Sequence, residues 1–174
     1  MIYTKDHKTL PIFDPWDFLG PKRRKLMDRS WAGLFREHIL NDLPVGKLRP
    51  FLTAGFGRPT KELYSILGAI VLQQMHDFSD EQTVSQVAFN QQWHYALDIT
   101  DSSDQSTYMC EKTLHNFRKI MTDSNLDTLL FNQTTEKLAR VFNVDTEKQR
   151  LDSVHIKSNM RHLGRIGIFA QSIH

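Results

Sequence analysis

The stretch TKELYSILGAIVLQQM, residues 60–75, decides the fold of this chain. Its apolar side chains recur at helical spacing, and Thr60 supplies an N-cap, so the pattern predicts a helix that is the most buried element. The sequence SDEQ at residues 79–82 has the pattern of a capping box and predicts a second helix that ends near Leu97. The two helices would form an αα-hairpin. The apolar stripe of the first helix consists of Leu63, Ile66, Leu67, Ile70 and Val71.

The segments on either side of this hairpin also favour helices. The prolines Pro11, Pro15 and Pro21, together with aromatic residues such as Trp16, predict an irregular arm over residues 1–21. Residues 22–40 have helical spacing and begin with a basic run, whereas prolines and glycines in residues 44–59 predict a loop. Further helices are expected over residues 106–121 and 124–143. On the first of these, Cys110 falls on the apolar stripe and is expected to be a buried structural thiol.

The pattern changes after residue 150. The sequence LDSVHI at residues 151–156 is short, partly β-branched and alternating, which predicts a strand. The eighteen residues that follow cannot complete a sheet, so we expect a chain that is cut short. The predicted fold class is mainly α, a helical bundle with helix-turn-helix-like character and a truncated β segment at the C-terminus. The expected domains are an arm at 1–21, a helical domain at 22–145 and the truncated segment at 146–174.

Composition limits the classes of protein that the sequence can belong to. The chain has 174 residues, of which 40% are hydrophobic, and a single cysteine, so one ordinary core is expected and an internal disulfide framework is excluded. No apolar run is long enough to span a bilayer, and the N-terminus does not have the pattern of a signal peptide. We therefore expect a cytoplasmic protein without a membrane partner.

The net charge of +2 conceals an uneven distribution. Residues 1–60 carry 11 basic and 6 acidic side chains, residues 61–105 carry 1 and 7, and residues 106–174 carry 10 and 7. Clustered cations attract the phosphates of DNA regardless of sequence, although many such faces are only solvated. If the helices form a helix-turn-helix-like array, the helix at 106–121 would be the one that reads DNA. The candidate DNA-binding residues are Lys22, Arg23, Arg24 and Lys25 in one cluster, and Lys112, His115, Arg118 and Lys119 in the other.

Two stretches carry a resemblance to a known family. The first is the helix, SDE turn and helix of residues 59–84, resumed at 106–119, and the second is QRLDSVHIKSNMRHLGR at residues 149–165. Together they resemble the N-terminal part of bacterial insertion-sequence transposases. In that family a helical domain precedes an RNase-H-like core with three catalytic carboxylates, known as the DDE type.

The resemblance implies a catalytic role for Asp152. This residue would be the first catalytic carboxylate and a ligand of the Mg²⁺ that the full-length family uses. Val154 stands where the family commonly has threonine, and the sequence ends before the second aspartate and the glutamate would occur. The resemblance also implies that the chain binds DNA at the terminal repeats of its element. We also expect it to be inactive alone and to hold no metal stably.

Two other functions remain open at this point. One is a regulatory DNA-binding protein derived from a transposase. The other is a helical protein–protein interaction module that uses aromatic surfaces such as Trp16, Trp31 and Trp93. The main partner of such a module would be another copy of the chain, which predicts a homo-oligomer.

Overall fold

The computed structural model describes residues 2–7, 9, 12–52 and 59–144. These residues belong to one compact unit, Met1–Val144. Among them the model contains helices and turns and no strand, so the prediction of a mainly α fold is confirmed. The strand and truncated segment predicted near Asp152 lie outside the described residues. The described helices are α1 (Gly20–Arg29), α2 (Trp31–His38), α3 (Val45–Leu48), α4 (Leu63–His76), α5 (Asp80–Phe89), α6 (Gln91–Ala96), α7 (Asp104–Thr107), α8 (Glu111–Asp123) and α9 (Leu126–Val141).

Helix α4 forms the centre of the core, as its sequence predicts. Leu63, Ile66 and Leu72 are fully buried, and the helix is buried over most of its length. Gly68 lets the chain that follows α6 approach closely, because a Cβ at this position would lie 2.5 Å from the side chain of Leu97. The contacts of α4 with α3, α5 and α8 complete the packing around it.

The start of α4 differs from the prediction. Glu62, not Thr60, is the N-cap, and its carboxylate accepts hydrogen bonds from the backbone N–H groups of Tyr64 and Ser65. The Thr60 hydroxyl instead accepts a hydrogen bond of 3.0 Å from the backbone N–H of Tyr3. The predicted cap is therefore used to hold the N-terminal residues against the helical body.

Two of the predicted helices are each divided in two. Ser30 separates α1 from α2, and its hydroxyl accepts a hydrogen bond from the N–H of Ala32. Asn90 separates α5 from α6 in the same way, because its side chain accepts from the N–H of Gln92. Short polar side chains of this kind compete with the helical backbone and restart it at a new angle. The predicted capping box at Ser79, which opens α5, is confirmed.

The helices downstream also begin later than predicted. Residues 104–107 form the short α7, and α8 begins only after Cys110, which is its N-cap. The prediction of a buried thiol was wrong: Cys110 is exposed, because it precedes the helix and does not share the apolar stripe of Leu114 and Phe117. Ser124 ends α8, while Asn125, in a left-handed conformation, precedes α9.

The aromatic residues proposed as a protein-binding surface belong mostly to the core. Trp16 is 3% exposed and Trp93 is 1% exposed, and Trp31 is half-buried. They therefore do not form an open aromatic surface. No helix within the described residues is long and apolar enough to cross a membrane.

Candidate nucleic-acid interface

Helix α8 carries the first group of predicted DNA-binding residues. Leu114, Phe117 and Met121 are buried on one side of the helix. The opposite side, here called the outer face of α8, is exposed, and its side chains form no hydrogen bond or ion pair with any other described residue. This amphipathic division holds the helix firmly while leaving its polar side chains open to a partner. The outer face consists of Lys112, His115, Asn116 and Lys119.

Arg118 differs from its neighbours on α8. Its guanidinium is paired with Asp80 at the start of α5 and donates a hydrogen bond of 3.2 Å to Oε1 of Gln73. Gln73 in turn donates to Asp80 at 2.7 Å, so three side chains from three helices form a closed group. The hydrogen bond from Arg118 lowers the pKa of Asp80. Arg118 therefore ties α8 to α4 and α5, and the structure does not place it on the outer face.

The basic cluster at the start of α1 is divided in the same way. Lys22 and Lys25 are exposed and have no partner among the described residues, while Arg23 donates to Oε1 of Gln91 at 3.2 Å. Arg24 is paired with Asp14 at 2.8 Å and with Asp28 at 3.1 Å. Arg24 therefore has a structural role, and the open cations of this cluster are Lys22 and Lys25.

Asp98 lies at the centre of a charged cluster that the sequence did not predict. Its side chain is only 10% exposed, and it accepts hydrogen bonds from Lys5 at 3.0 Å and from Arg36 at 2.7 Å, with His7 Nδ1 at 2.9 Å. Burial raises the pKa of Asp98, but His7, Arg36 and Lys5 outweigh it and lower the pKa to about 2. The carboxylate therefore stays charged and holds Lys5, Arg36 and His7 together.

The cluster fixes residues 2–7, here called the N-terminal strap, to the helical body. His7 lies between two carboxylates, because its Nε2 is 3.5 Å from Oε2 of Glu62 on the side opposite Asp98. Burial alone would lower the pKa of His7. The two carboxylates raise it by a larger amount, so the net shift is upward. The backbone N–H of Lys5 also donates to Glu62 at 3.1 Å, and the carbonyl of Tyr3 accepts from the N–H of Leu63. The strap thus completes the N-terminal end of α4.

The Asp98 cluster is a poor candidate for a binding site, because Lys5, His7 and Arg36 are each paired with a carboxylate of the fold. Arg36 also lies over the rings of Tyr95 and Trp16, at 4.7 Å and 5.8 Å from their centroids. Within the described residues, no group of three or more His, Cys, Asp or Glu side chains is placed to hold a metal ion. Asp152, the predicted catalytic residue and metal ligand, lies outside these residues.

Comparison with known proteins gives one finding. Residues 32–119 match the family model described as Transposase domain (DUF772). The match begins in α2 and ends in α8, so it contains the outer face of α8 and Asp98, whereas the basic cluster of α1 and the N-terminal strap precede it. No curated protein and no solved structure matches the chain.

Proposed function

The chain belongs to the transposase domain (DUF772) family, and on that premise we propose that it is the DNA-binding part of a transposase, with the outer face of α8 against the DNA. The resemblance to insertion-sequence transposases names the terminal repeats of the element as the target. Duplex DNA carries one phosphate charge per about 1.7 Å of its axis, and each cation that contacts a phosphate releases counterions. A DNA-binding surface therefore needs cations that are free to make such contacts.

One observation supports this proposal more than the others: the lysines of α8 are unpaired, whereas neighbouring cations are paired with carboxylates. Lys112 and Lys119 are exposed and have no partner among the described residues. Arg118, Arg24 and Arg36 are each paired with carboxylates. Because the fold matches most of the cations that lie near an acidic side chain, the unmatched pair on α8 is a surface available to an external anion.

The basic cluster of α1 is proposed as a second, auxiliary contact. Lys22 and Lys25 are likewise exposed and without a partner among the described residues, and the partner of Arg23 is the neutral side chain of Gln91. These residues precede the segment that matches the family. We therefore assign to them phosphate contacts that add affinity without sequence preference.

The proposal is tested by binding of the full chain to a labelled duplex that carries the genomic ends of the element, with scrambled DNA as competitor. Fluorescence anisotropy between roughly 50 and 200 mM salt gives the dependence of affinity on salt. We expect binding that prefers the ends and weakens with salt. The double variant Lys112→Ala/Lys119→Ala should reduce the slope of log affinity against log salt by about 1.8, because two phosphate contacts are lost.

The matched control for the double variant is Lys47→Ala. Lys47 is also an exposed helical lysine, but it lies on α3, away from α8. This variant should keep the wild-type slope. An absence of binding at the lowest salt, or an equal loss for Lys47→Ala, would remove α8 as the DNA-binding surface.

DNA cleavage is not part of the proposed role. A pair of Mg²⁺ ions needs several carboxylate ligands, and the resemblance assigns only Asp152 to this task. We expect the chain to leave a duplex of the element ends intact in Mg²⁺ or Mn²⁺, as a regulator that occupies these ends would. Nicking that the variant Asp152→Asn abolishes would instead add catalysis to its function.

A further inference from the structure

Asn116 lies in the middle of the outer face of α8. Lys112 is four residues before it, His115 is adjacent and Lys119 is three residues after it, so the four side chains share one side of the helix. Asn116 is exposed, and its amide has no hydrogen bond with any other described residue. An amide that is flanked by unpaired cations at these spacings is positioned to contact the ligand that the cations bind.

The chemistry of this side chain differs from that of the lysines. A lysine ammonium only donates hydrogen bonds, so it binds phosphates or the acceptor atoms of guanine and cannot match the donor–acceptor pair of adenine. The carboxamide of Asn116 carries a donor and an acceptor in one plane, and this pair matches N7 and the N6 amino group of adenine in the major groove. Among the residues of the outer face, Asn116 is therefore the one suited to recognise a base by a planar pair of hydrogen bonds.

The support beneath α8 favours such a precise role. The helix has thirteen residues and is held by the buried side chains of Leu114, Phe117 and Met121. It contacts α4, α5 and α9, and Arg118 fastens it to Asp80. A side chain on a rigid helix loses less freedom when it binds a base than one on a loop does, so its geometry can be selective.

Other amides of the fold show what distinguishes Asn116. Gln73 is buried and bonded on both sides, and Asn90 caps α6. Asn132 on α9 is exposed like Asn116, but its nearest helical neighbours include Thr128 and Glu136, which do not attract phosphates. Of these four amides, only Asn116 combines an unpaired side chain with cations on both sides.

We infer that Asn116 reads an adenine in the major groove of the bound duplex, while Lys112 and Lys119 hold the phosphates that flank it. This inference rests on the proposed function and adds the residue that discriminates between sequences. It assigns the specificity of α8 to one amide and its salt-dependent affinity to the lysines.

The test begins with selection of bound sequences from a pool of random duplexes by the full-length wild-type chain. At one selected adenine, replacement by 7-deazaadenine removes the N7 acceptor and leaves the base pair intact. We expect wild-type affinity to fall about tenfold at that position. The variant Asn116→Ala should bind the original duplex more weakly, accept any base there and show no penalty from 7-deazaadenine.

Asn132→Ala is the matched control, because it removes an exposed helical amide from another helix. It should keep both the base preference and the 7-deazaadenine penalty, and thermal melting should show that both variants are folded. If Asn116→Ala keeps the wild-type preference and penalty, the inference is overturned while DNA binding by α8 stands. If the wild type selects no sequence but binds with salt dependence, base reading fails alone; if it does not bind at all, the proposed function fails as well.

Discussion

The Asp98 cluster and the outer face of α8 use charge in opposite ways. In the cluster, one carboxylate with a side chain only 10% exposed is paired with Lys5, His7 and Arg36 inside the fold. On α8, Lys112 and Lys119 have no partner among the described residues. The first arrangement stabilises the folded chain and the second leaves charge for a ligand. Pairing, rather than the number of cations, is therefore what distinguishes the two groups of charges in this domain.

The largest effect is expected when the centre of the matched cluster is neutralised. Asp98→Asn keeps the shape of the side chain and its tolerance of the left-handed backbone, where φ is 52°. It removes the carboxylate that pairs with Lys5 and Arg36 and one of the two carboxylates beside His7, so we expect the free energy of unfolding to fall by about 3 kcal/mol or more. Urea denaturation measures the change. The control Asp123→Asn, at the exposed end of α8, should stay within about 0.5 kcal/mol of the wild type.

The Asp98 cluster should lose part of its stabilising effect both at low pH and at high pH. Because the pKa of Asp98 is lowered from 3.8 to about 2, its contribution is present above pH 3.8 and is lost as the pH falls through 2. Because the pKa of His7 is raised above 6.5, its contribution is complete below pH 6.5 and is lost as the pH rises through the raised value. Thermal melting across this range should show the alkaline loss in the wild type and in His115→Gln. A loss of equal size in His7→Gln would contradict the assignment.

Two adjacent cations on α8 sharpen the comparison within one helix. Arg118→Ala removes the tie to Asp80 and Gln73 and should lower the free energy of unfolding by about 1 kcal/mol with little change in the salt dependence of DNA binding. Lys119→Ala should do the reverse, with stability within about 0.5 kcal/mol of the wild type and a slope reduced by about 0.9. Urea denaturation measures the free energy of unfolding of both variants, and fluorescence anisotropy measures the salt dependence of their DNA binding. Identical behaviour of the two would mean that pairing does not separate the roles.

The smallest effect is expected at α1. Lys22→Ala/Lys25→Ala removes two open cations and should weaken binding to end and scrambled duplexes by the same factor, without a change in melting temperature. Arg24→Ala is the matched comparison, because Arg24 is paired with Asp14 and Asp28 and should affect stability first. A selective loss of end binding in the double variant would give α1 a role in sequence recognition.

Local signals in the sequence were sufficient to predict the centre of the fold. The apolar stripe of residues 60–75 gave α4, and the SDEQ pattern gave the capping box at Ser79, because both depend on side chains within a few residues of one another. The division at Ser30 and Asn90 was missed. Each of these residues is compatible with a helix interior, and only the geometry of the surrounding helices decides that its side chain caps the next helix instead.

The candidate sites were predictable only in part, for the same reason. The helical spacing of residues 112–119 was enough to place Lys112, His115 and Lys119 on one side of a helix. It could not reveal that Arg118 is paired with Asp80, which lies 38 positions earlier in the chain. The Asp98 cluster was missed altogether, since it joins residues up to 93 positions apart and has no local pattern.

That long separation has a consequence for how the domain is made on the ribosome. Lys5 and His7 leave the exit tunnel early, but Asp98 is added more than 90 residues later. At about 5–20 residues per second, the strap waits for roughly 5–20 s before its counter-charge exists. During that interval the strap can be held through Thr60, Glu62 and Leu63 at the start of α4 but not through Asp98. The strap therefore completes its contacts only after the segment that follows α6 has been made.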